Sequence, residues 1–404
     1  MTIDFAHTDF GQEEIDAVNR VLQSYWLGPG PENEHFEAEF AHMVGAKYAI
    51  CVNSGSSANL LALAALQLPA GSRVLTSACG FPATLAPILH LGLEPVLVDY
   101  DLHTHNINVE QLLKQLPTVR AVILAHTLGN PVDMERIDPI VRAAGIPLIE
   151  DCCEAVGTRI NQRWVGTFGT AGTFSFYPSH QITALGGGGM VITNDATLAR
   201  GVRSRRDWGK WVAPTYTLGE EMTSYQTIGG SFPIIRSLPY YSGYTYQTIG
   251  YNCKLPDANA AFGRVQLKRL EGFVKQRVSH YEYLKQRLNA SEHFLPVVSP
   301  PGALVSWFGF PLTVAKGNRD GLGLWLEGHG IRHRPFFAGN LLRHAPFRHL
   351  GDPAQFPIAD RLMRDGCFIG VWQGITQTQL DYMVETLLAW GHKNSGWMTE
   401  EKRC

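Results

Sequence analysis

The chain has 404 residues, of which 45% are hydrophobic and 17% are charged, and this length and composition predict a large buried core built from more than one structural unit. Its formal net charge of −2 gives no overall positive electrostatic potential, so nucleic acid is not an expected partner. The absence of a basic, apolar leader and of any long apolar run predicts a cytoplasmic protein with no membrane attachment.

The seven cysteines lack the CxxC or Cys/His spacing that is typical of a metal site. We therefore expect reduced thiols, no disulfide and no bound metal.

Between about residues 47 and 194, short β-rich runs such as YAICV, RVLT and PLIEDCC alternate with helix-like segments such as SANLLALAAL and MERIDPIVRAAG. This alternation predicts an α/β fold with a mainly parallel sheet covered by helices. In such sheets ligands bind at the carboxyl ends of the strands, where three candidate motifs lie.

The first motif, residues 53–59 with sequence NSGSSAN, follows the strand YAICV and opens an apolar helix. Small residues at a strand-to-helix turn allow backbone N–H groups to approach a phosphate, and the helix dipole favours the anion. A plain helix cap with Ser54 as the N-cap explains the same residues equally well.

The second motif is PLIEDCCEA, a predicted strand that ends in Glu150 and Asp151. A carboxylate at this position can pair with the protonated ring nitrogen of pyridoxal phosphate, or it can simply cap the following turn.

The third motif is SFYPSHQITALGGGGMVIT, residues 175–193, in which a strand leads into a turn with His180 and then into four consecutive glycines. A lone histidine is more often structural than catalytic, so this motif alone does not establish catalysis.

Residues 213–246 are rich in Gly, Ser, Thr and Tyr without a period, which predicts a long functional loop or an interface arm. Apolar residues at helical spacing then predict a long linking helix, followed by mixed strand-like and helical runs. We predict an N-terminal arm and large domain over residues 1–265, then the linking helix and a small α+β domain over residues 266–404, with a loose tail from His392.

The order and spacing of the three motifs resemble the DegT/DnrJ/EryC1/StrS aminotransferase family, the sugar-modifying branch of the fold-type I pyridoxal phosphate enzymes. The resemblance extends over nearly the whole chain, because it includes the stretches CGFPATLAPIL, AHTLGNPVD, RDWG, IGYNCK and RPFFAGNLLR. The resemblance implies an aspartate aminotransferase-like large domain.

In this family the turn after SFxP carries the lysine that binds the cofactor covalently, and here that position is His180. This substitution is similar to a subgroup of 3-dehydratases that act on nucleotide-linked 4-keto-6-deoxy sugars. The resemblance implies non-covalently bound pyridoxal or pyridoxamine phosphate, L-glutamate as the amino donor, and an imidazole that transfers protons in place of the lysine.

The resemblance also implies roles for residues that match family positions. Gly55, Ser56 and Ser175 match the residues that hold the cofactor phosphate, and Asp151 matches the acid that faces the pyridine nitrogen. The remaining matches are Glu154 near the ring, Phe81 stacked on it, and Asn252 reaching the neighbouring subunit's cofactor in a homodimer with shared sites. As alternatives, Phe81 is a core residue, Asn252 a turn residue, and Ser175 a hydroxyl that is hydrogen-bonded within the sheet.

Arg334, Asn340 and Arg343 in RPFFAGNLLR are candidates to hold the sugar diphosphate, because the guanidinium group of arginine matches phosphate oxygens. The same residues could equally form surface ion pairs.

The chain departs from relatives at three places. It has no cysteine shortly after RDWG, where iron–sulfur relatives supply cluster ligands, so the resemblance implies a cluster-free enzyme. Gln247 stands where a histidine is expected, and Gly187 stands where relatives have an acid, which leaves the identity of the sugar open.

Two alternatives remain open from the sequence. One is an ordinary nucleotide-sugar aminotransferase that uses Lys254 or Lys210 as its lysine. The other is a catalytically inactive binding protein built on the aminotransferase fold.

Overall fold

The computed structural model describes most of the chain, namely residues 1–212, 234–235, 238–239, 242–289, 291–316 and 319–395. Most of the predicted loop at 213–246, and residues 396–404 of the predicted tail, lie outside the described residues.

A seven-stranded sheet forms the centre of the large domain. One strand, Gly189–Thr193, runs antiparallel to both of its neighbours, and the remaining pairs are parallel. The mainly parallel sheet is therefore confirmed. In spatial order the strands are Tyr48–Val52, Gly189–Thr193, Ala171–Ser175, Leu148–Asp151, Ala121–Ala125, Arg73–Ser77 and Glu94–Val98.

Helices cover both faces of this sheet, because successive side chains of a strand point in opposite directions and both sets are apolar. Ile50 and Val52 pack in one core cluster, and Ala49 and Cys51 pack in another. The helices of the described residues are Gln12–Gln23, Pro31–Val44, Gly55–Ala65, Pro82–His90, Val109–Gln115, Met134–Ala143, Ala196–Arg206, Asp257–Leu288, Arg319–Gly328, Pro357–Asp365 and Gln377–Ser395.

The helix Asp257–Leu288 is about 48 Å long and packs against both the N-terminal helices and the C-terminal helix Gln377–Ser395. It begins ahead of the predicted domain boundary at residue 265, which therefore falls inside the helix. The C-terminal helix ends at Ser395, so the predicted loose tail does not begin at His392.

A four-stranded antiparallel sheet follows the long helix and has its own apolar core. Its strands, in spatial order, are Phe294–Leu295, Gly309–Val314, Gly366–Gly370 and His333–Pro335. Short two-residue strands pair elsewhere at Tyr100–Asp101 with Asn106–Ile107, at Ile234–Ile235 with Leu238–Pro239, and at Arg159–Ile160 with Arg163–Trp164 and Ala303–Leu304.

Within the described ranges, every helix is too short or too polar to cross a lipid bilayer.

A buried ion-pair cluster ties the helix Pro31–Val44 to the helix Ala196–Arg206. The Glu37 carboxylate accepts hydrogen bonds from Arg203 at 2.7 Å and Arg206 at 2.9 Å, and all three side chains are about 95% buried. Removing one partner of a buried ion pair leaves the remaining charges uncompensated in a low dielectric.

We expect Glu37→Ala to lower the free energy of unfolding by about 3–5 kcal/mol, measured by urea denaturation, because it removes the buried carboxylate that pairs with both Arg203 and Arg206. Glu39→Ala on the same helix is the matched control. Glu39 pairs with Arg264 in a partly exposed site, and its loss should cost about 0–1 kcal/mol. Equal losses in the two variants would contradict the expectation.

Candidate active site

The carboxyl ends of the parallel strands open into a cavity of about 320 Å³, a volume that suits a small ligand. The three sequence motifs meet there because parallel strands present their carboxyl ends at the same edge of a sheet. The predicted site residues that line the cavity are Gly55, Ser56, Phe81, Asp151, Glu154, Ser175 and His180.

The N-terminus of the helix Gly55–Ala65 lies at the cavity. Ser54 is its N-cap, as predicted, and the first N–H groups of a helix have no partner within the helix. A Cβ atom on Gly55 would lie 2.6 Å from the Cys153 Sγ and 2.7 Å from the Ser175 Cβ. Glycine therefore allows the helix to approach the end of the strand Ala171–Ser175, and the two ends form a cradle that suits a phosphate.

Asp151 is the last residue of the strand Leu148–Asp151, and only 6% of it is exposed. Its Oδ2 accepts hydrogen bonds from Asn59 Nδ2 at 2.7 Å and Thr84 Oγ1 at 2.8 Å, and its Oδ1 accepts one from the Cys153 N–H at 3.1 Å. Three neutral donors stabilise a carboxylate without neutralising it. The residue can therefore face a protonated ring nitrogen.

His180 lies in the turn that follows the strand Ala171–Ser175. Its Nδ1 is buried without a hydrogen-bond partner among the described residues, which leaves Nε2 as the ring nitrogen open to the cavity. Burial, and then the charge of Arg277, lower the pKa of His180 to about 3. The imidazole is therefore neutral at pH 7, the form that accepts a proton.

Arg277 holds the His180 turn from behind. The arginine is 1% exposed, and it donates to the carbonyl oxygens of His180 at 3.3 Å and Trp307 at 3.1 Å. Burial lowers the pKa of Arg277 to about 9, so it remains charged at neutral pH. No carboxylate of the described residues forms an ion pair with it, and its charge therefore acts on His180 without a nearby counter-charge.

Aromatic side chains form the outer wall of the cavity. Phe81, 57% exposed, faces Phe337 edge-on with ring centroids 6.5 Å apart, and Phe308 lies 5.1 Å from the His180 ring. Phe337 has φ of +48°, an uncommon conformation for a bulky residue. A short antiparallel bridge between Cys79 and Asn340 holds the Phe81 and Phe337 loops side by side.

Four predicted site residues do not line this cavity. Asn252 is exposed and bridges to Asp207, so a role at a neighbouring subunit's site stays a prediction. Arg334 is exposed and its guanidinium lies 5.4 Å from the Phe5 ring.

The other two residues, Asn340 and Arg343, both contact the carboxylate of Asp360. Asn340 is fully buried, donates to Asp360 at 2.8 Å, and accepts the Leu342 N–H. Arg343 forms an ion pair with the same Asp360. Both residues therefore support the loop that carries Phe337, and their contact with a diphosphate stays a prediction.

His126, Glu150 and Cys152 form a buried group of potential metal ligands near the cavity. The Nδ1 of His126 accepts the Val132 N–H, so its Nε2 carries the proton and donates to Glu150 at 3.0 Å. Glu150 also accepts the Gly169 N–H, and the Cys152 thiol lies 3.6 Å from the Glu150 carbonyl oxygen. Because these atoms already have partners, the group is a structural hydrogen-bond network.

The sequence analysis did not predict several residues that lie at the site. Asn59 and Thr84 lie in quoted motifs, but nothing in their spacing indicated that both would donate to Asp151. Phe337 lies in the RPFFAGN stretch, where paired aromatic residues were the available signal. Nothing in the sequence indicated that Arg277 would contact the His180 turn, because the periodicity of its helix predicts only that the residue faces the core.

The profile of the DegT/DnrJ/EryC1/StrS aminotransferase family matches residues 8–388. The chain is 38% identical over 397 residues to the lipopolysaccharide biosynthesis protein RfbH of Salmonella typhimurium, covering 93% of this chain and 88% of the relative. It is 37% identical over 391 residues to the dTDP-4-dehydro-2,6-dideoxy-D-glucose 3-dehydratase of Saccharopolyspora spinosa, covering 91% of this chain and 82% of the relative.

Among solved structures, a GDP-4-keto-6-deoxymannose-3-dehydratase with a trapped PLP–glutamate geminal diamine superposes with a TM-score of 0.85 at 28% identity. The superposition covers 96% of this chain and all of that structure's chain. These comparisons agree with the predicted aspartate aminotransferase-like fold.

We expect Gly55→Ala to weaken the binding of pyridoxal phosphate about tenfold or more, because an overpacked contact costs about 1–3 kcal/mol. The dissociation constant can be measured by absorbance titration. Gly272→Ala is the control, since a Cβ there meets no atom within 4 Å. Unchanged affinity in the Gly55 variant would show that the close approach of helix and strand is unnecessary for phosphate binding.

Proposed function

The chain belongs to the DegT/DnrJ/EryC1/StrS aminotransferase family, and from this premise we propose that it is a 3-dehydratase that removes the C3 hydroxyl of a nucleotide-linked 4-keto-6-deoxy sugar. The proposal rests above all on His180, which occupies the turn where the family's lysine is expected and opens into the cavity. No lysine is among the described residues that line that cavity.

The cofactor is pyridoxal or pyridoxamine phosphate, and the cavity suits it. Gly55, Ser56 and Ser175 would hold the phosphate, and Asp151 would keep the ring nitrogen protonated. When bound, the pyridoxamine form supplies an amine for the sugar ketone and a ring that accepts electrons as neighbouring bonds break. Phe81 at the cavity mouth would cover one face of the ring.

His180 would act as the proton carrier. Its neutral Nε2 faces the cavity, so it can accept a proton and return it to the departing C3 hydroxyl. An imidazole cannot form the stable imine that lysine forms, so the cofactor would be held non-covalently.

The other candidate lysines support this assignment. Lys254 lies 2.5 Å from Asp207 and also packs over the Trp208 ring, and Lys210 pairs with the same Asp207 at 3.3 Å. Both lysines form ion pairs with Asp207, and neither lines the cavity. This arrangement argues against an aminotransferase that uses either lysine.

The names of the relatives support a nucleotide-linked keto sugar as substrate and L-glutamate as amino donor. Under this proposal the sugar and glutamate are converted to the 3-deoxy sugar, 2-oxoglutarate and ammonia. Incubation with GDP-, CDP- and dTDP-4-keto-6-deoxy sugars tests the proposal, and release of ammonia with a 3-deoxy product is the expected result. Formation of an amino sugar without ammonia would contradict it in favour of an aminotransferase.

Exposed apolar residues support a homodimer with shared sites. Ile249 and Tyr25 are each 92% exposed, and Trp26 is 53% exposed. Apolar side chains at this level of exposure favour contact with another protein surface. Asn252 would then reach the partner's cofactor phosphate.

We expect His180→Lys to lower the dehydration rate about 100-fold or more, because the positioned imidazole is lost. The variant should also become covalently linked to pyridoxal phosphate after borohydride reduction, as seen by mass spectrometry. His90→Lys, at an exposed helix end, is the control and should do neither. If the His180 variant dehydrated normally and stayed unlinked to the cofactor, the assignment of His180 would be wrong.

We expect Arg277→Met to move the acid limb of the pH–rate profile to higher pH. The charge of Arg277 lowers the pKa of His180, so its removal lets the imidazole hold its proton at higher pH. Lys275→Met is the control on the solvent face of the same helix. A reduced rate with an unmoved acid limb would mean that Arg277 acts through packing alone.

A further inference from the structure

Four buried polar atoms around the His180 turn have no hydrogen-bond partner among the described residues. They are the His180 Nδ1, the Gln181 Oε1, the Arg277 Nε and the Ser306 Oγ. Gln181 and Arg277 are each 1% exposed, and Ser306 is fully buried. Buried polar atoms in folded proteins are almost always paired, so a group of unpaired ones indicates a site for a small polar ligand.

These four residues form one connected cluster. Arg277 donates to the carbonyl oxygen of His180 at 3.3 Å and to that of Trp307, the neighbour of Ser306, at 3.1 Å. The Gln181 Nε2 donates to the Ser306 carbonyl oxygen at 2.8 Å. The unpaired atoms therefore belong to side chains that already lie together, although none of these atoms bonds directly to another.

The Ser306 hydroxyl is the member of the cluster that the fold does not use. The main chain of Ser306 is held without it, because its N–H donates to the Thr158 Oγ1 at 2.9 Å and its carbonyl oxygen accepts from Gln181. Gly157 has φ of +98°, and a Cβ there would lie 3.2 Å from the Ser306 Oγ. Glycine at this position therefore lets a second loop come close to the hydroxyl.

The proposed function defines what the His180 Nδ1 needs. A neutral imidazole has one N–H group, so a ring whose Nε2 accepts a proton from the cavity must carry its own hydrogen on Nδ1. That N–H is then a buried donor without an acceptor. The unpaired acceptors of the cluster are the Gln181 Oε1 and the Ser306 Oγ. Neither bonds directly to Nδ1, and a water molecule bridges polar groups that are beyond direct reach.

A single water molecule pairs every member of the cluster, since water accepts two hydrogen bonds and donates two. It would accept from the His180 Nδ1 and the Arg277 Nε, and it would donate to the Gln181 and Ser306 oxygens. The Ser306 hydroxyl would in turn donate to the second lone pair of the Gln181 oxygen. This arrangement forms one hydrogen bond more than the opposite tautomer allows, because Nδ1 then contributes no donor.

We propose that Ser306 positions His180 through an internal water molecule, which accepts the hydrogen of the His180 Nδ1 and keeps Nε2 free to accept a proton. The inference rests on the proposed function, in which His180 carries protons at the cavity. Without the Ser306 hydroxyl, one hydrogen of the water loses its acceptor. The opposite tautomer then becomes favoured, because its Nδ1 accepts that hydrogen, and its Nε2 can no longer accept a proton.

Ser306→Ala tests this role in the full-length protein loaded with cofactor. We expect kcat for dehydration to fall about tenfold, because the loss of one hydrogen bond shifts the tautomer equilibrium by about that factor. The KM for the sugar and the dissociation constant of the cofactor should not change, since Ser306 is not among the described residues that line the cavity.

Ser204→Ala is the matched control for this experiment. Ser204 is also fully buried and its hydroxyl is also unpaired among the described residues, but it lies in the helix Ala196–Arg206. Its variant should keep the wild-type kcat. An unchanged kcat in Ser306→Ala, or an equal loss in both variants, would overturn the role of Ser306.

The tautomer can be measured without catalysis by nitrogen NMR of protein labelled at its histidine rings, with the His180 signal assigned from His180→Asn. We expect the hydrogen on Nδ1 in the wild type and on Nε2 in Ser306→Ala. The hydrogen on Nε2 in the wild type, or the same tautomer in both proteins, would overturn the proposal.

A crystal structure of the wild type provides a measurement that does not depend on the folding of any variant. Electron density for a water molecule within hydrogen-bonding distance of the Ser306 Oγ and the Gln181 Oε1 is the expected result, and its absence overturns the proposal. If the protein released an amino sugar without ammonia, the proposed function would fail instead. The tautomer and the water would still decide the role of Ser306, so the two failures are distinguishable.

Discussion

A carboxylate at the end of a buried strand needs hydrogen-bond donors, and Asp151 receives them from two different helices. Asn59 belongs to the helix that begins at Gly55, and Thr84 belongs to the helix that begins beside Phe81. These two hydrogen bonds to Asp151 therefore set the positions of both helix starts relative to the strand. The cradle at Gly55 and the aromatic wall at Phe81 therefore lie at the starts of two helices that both donate to Asp151.

Burial, and then the charge of Arg277, act on the histidine of the same cavity. His180 is neutral at pH 7, and Glu154 lies beside Asp151 without a compensating cation. Arg277 contributes positive charge from behind the His180 turn and does not open into the cavity. The cavity is thus organised around one negative group that faces inward among neutral partners, which suits recognition of a cationic ring nitrogen.

Much of this arrangement could be predicted from the sequence, because period-two and period-3.6 patterns locate the strands and helices. Parallel strands end at one edge, so Asp151, Ser175 and His180 were expected to meet. Contacts between distant segments could not be predicted in this way. Arg277 lies 97 residues from His180, and their contact depends on how the long helix packs. The positive φ of Phe337 arises from local loop geometry that periodicity does not report.

The absence of lysine among the described lining residues has a thermodynamic consequence. A covalently anchored cofactor stays with its protein, but one held by reversible contacts exchanges with the surrounding pool of vitamin B6. Under the proposed function, occupancy follows free cofactor concentration by mass action. A concentration of 100 times the dissociation constant adds about 2.7 kcal/mol to the stability of the folded chain. Vitamin supply would then govern both the activity of this protein and its lifetime.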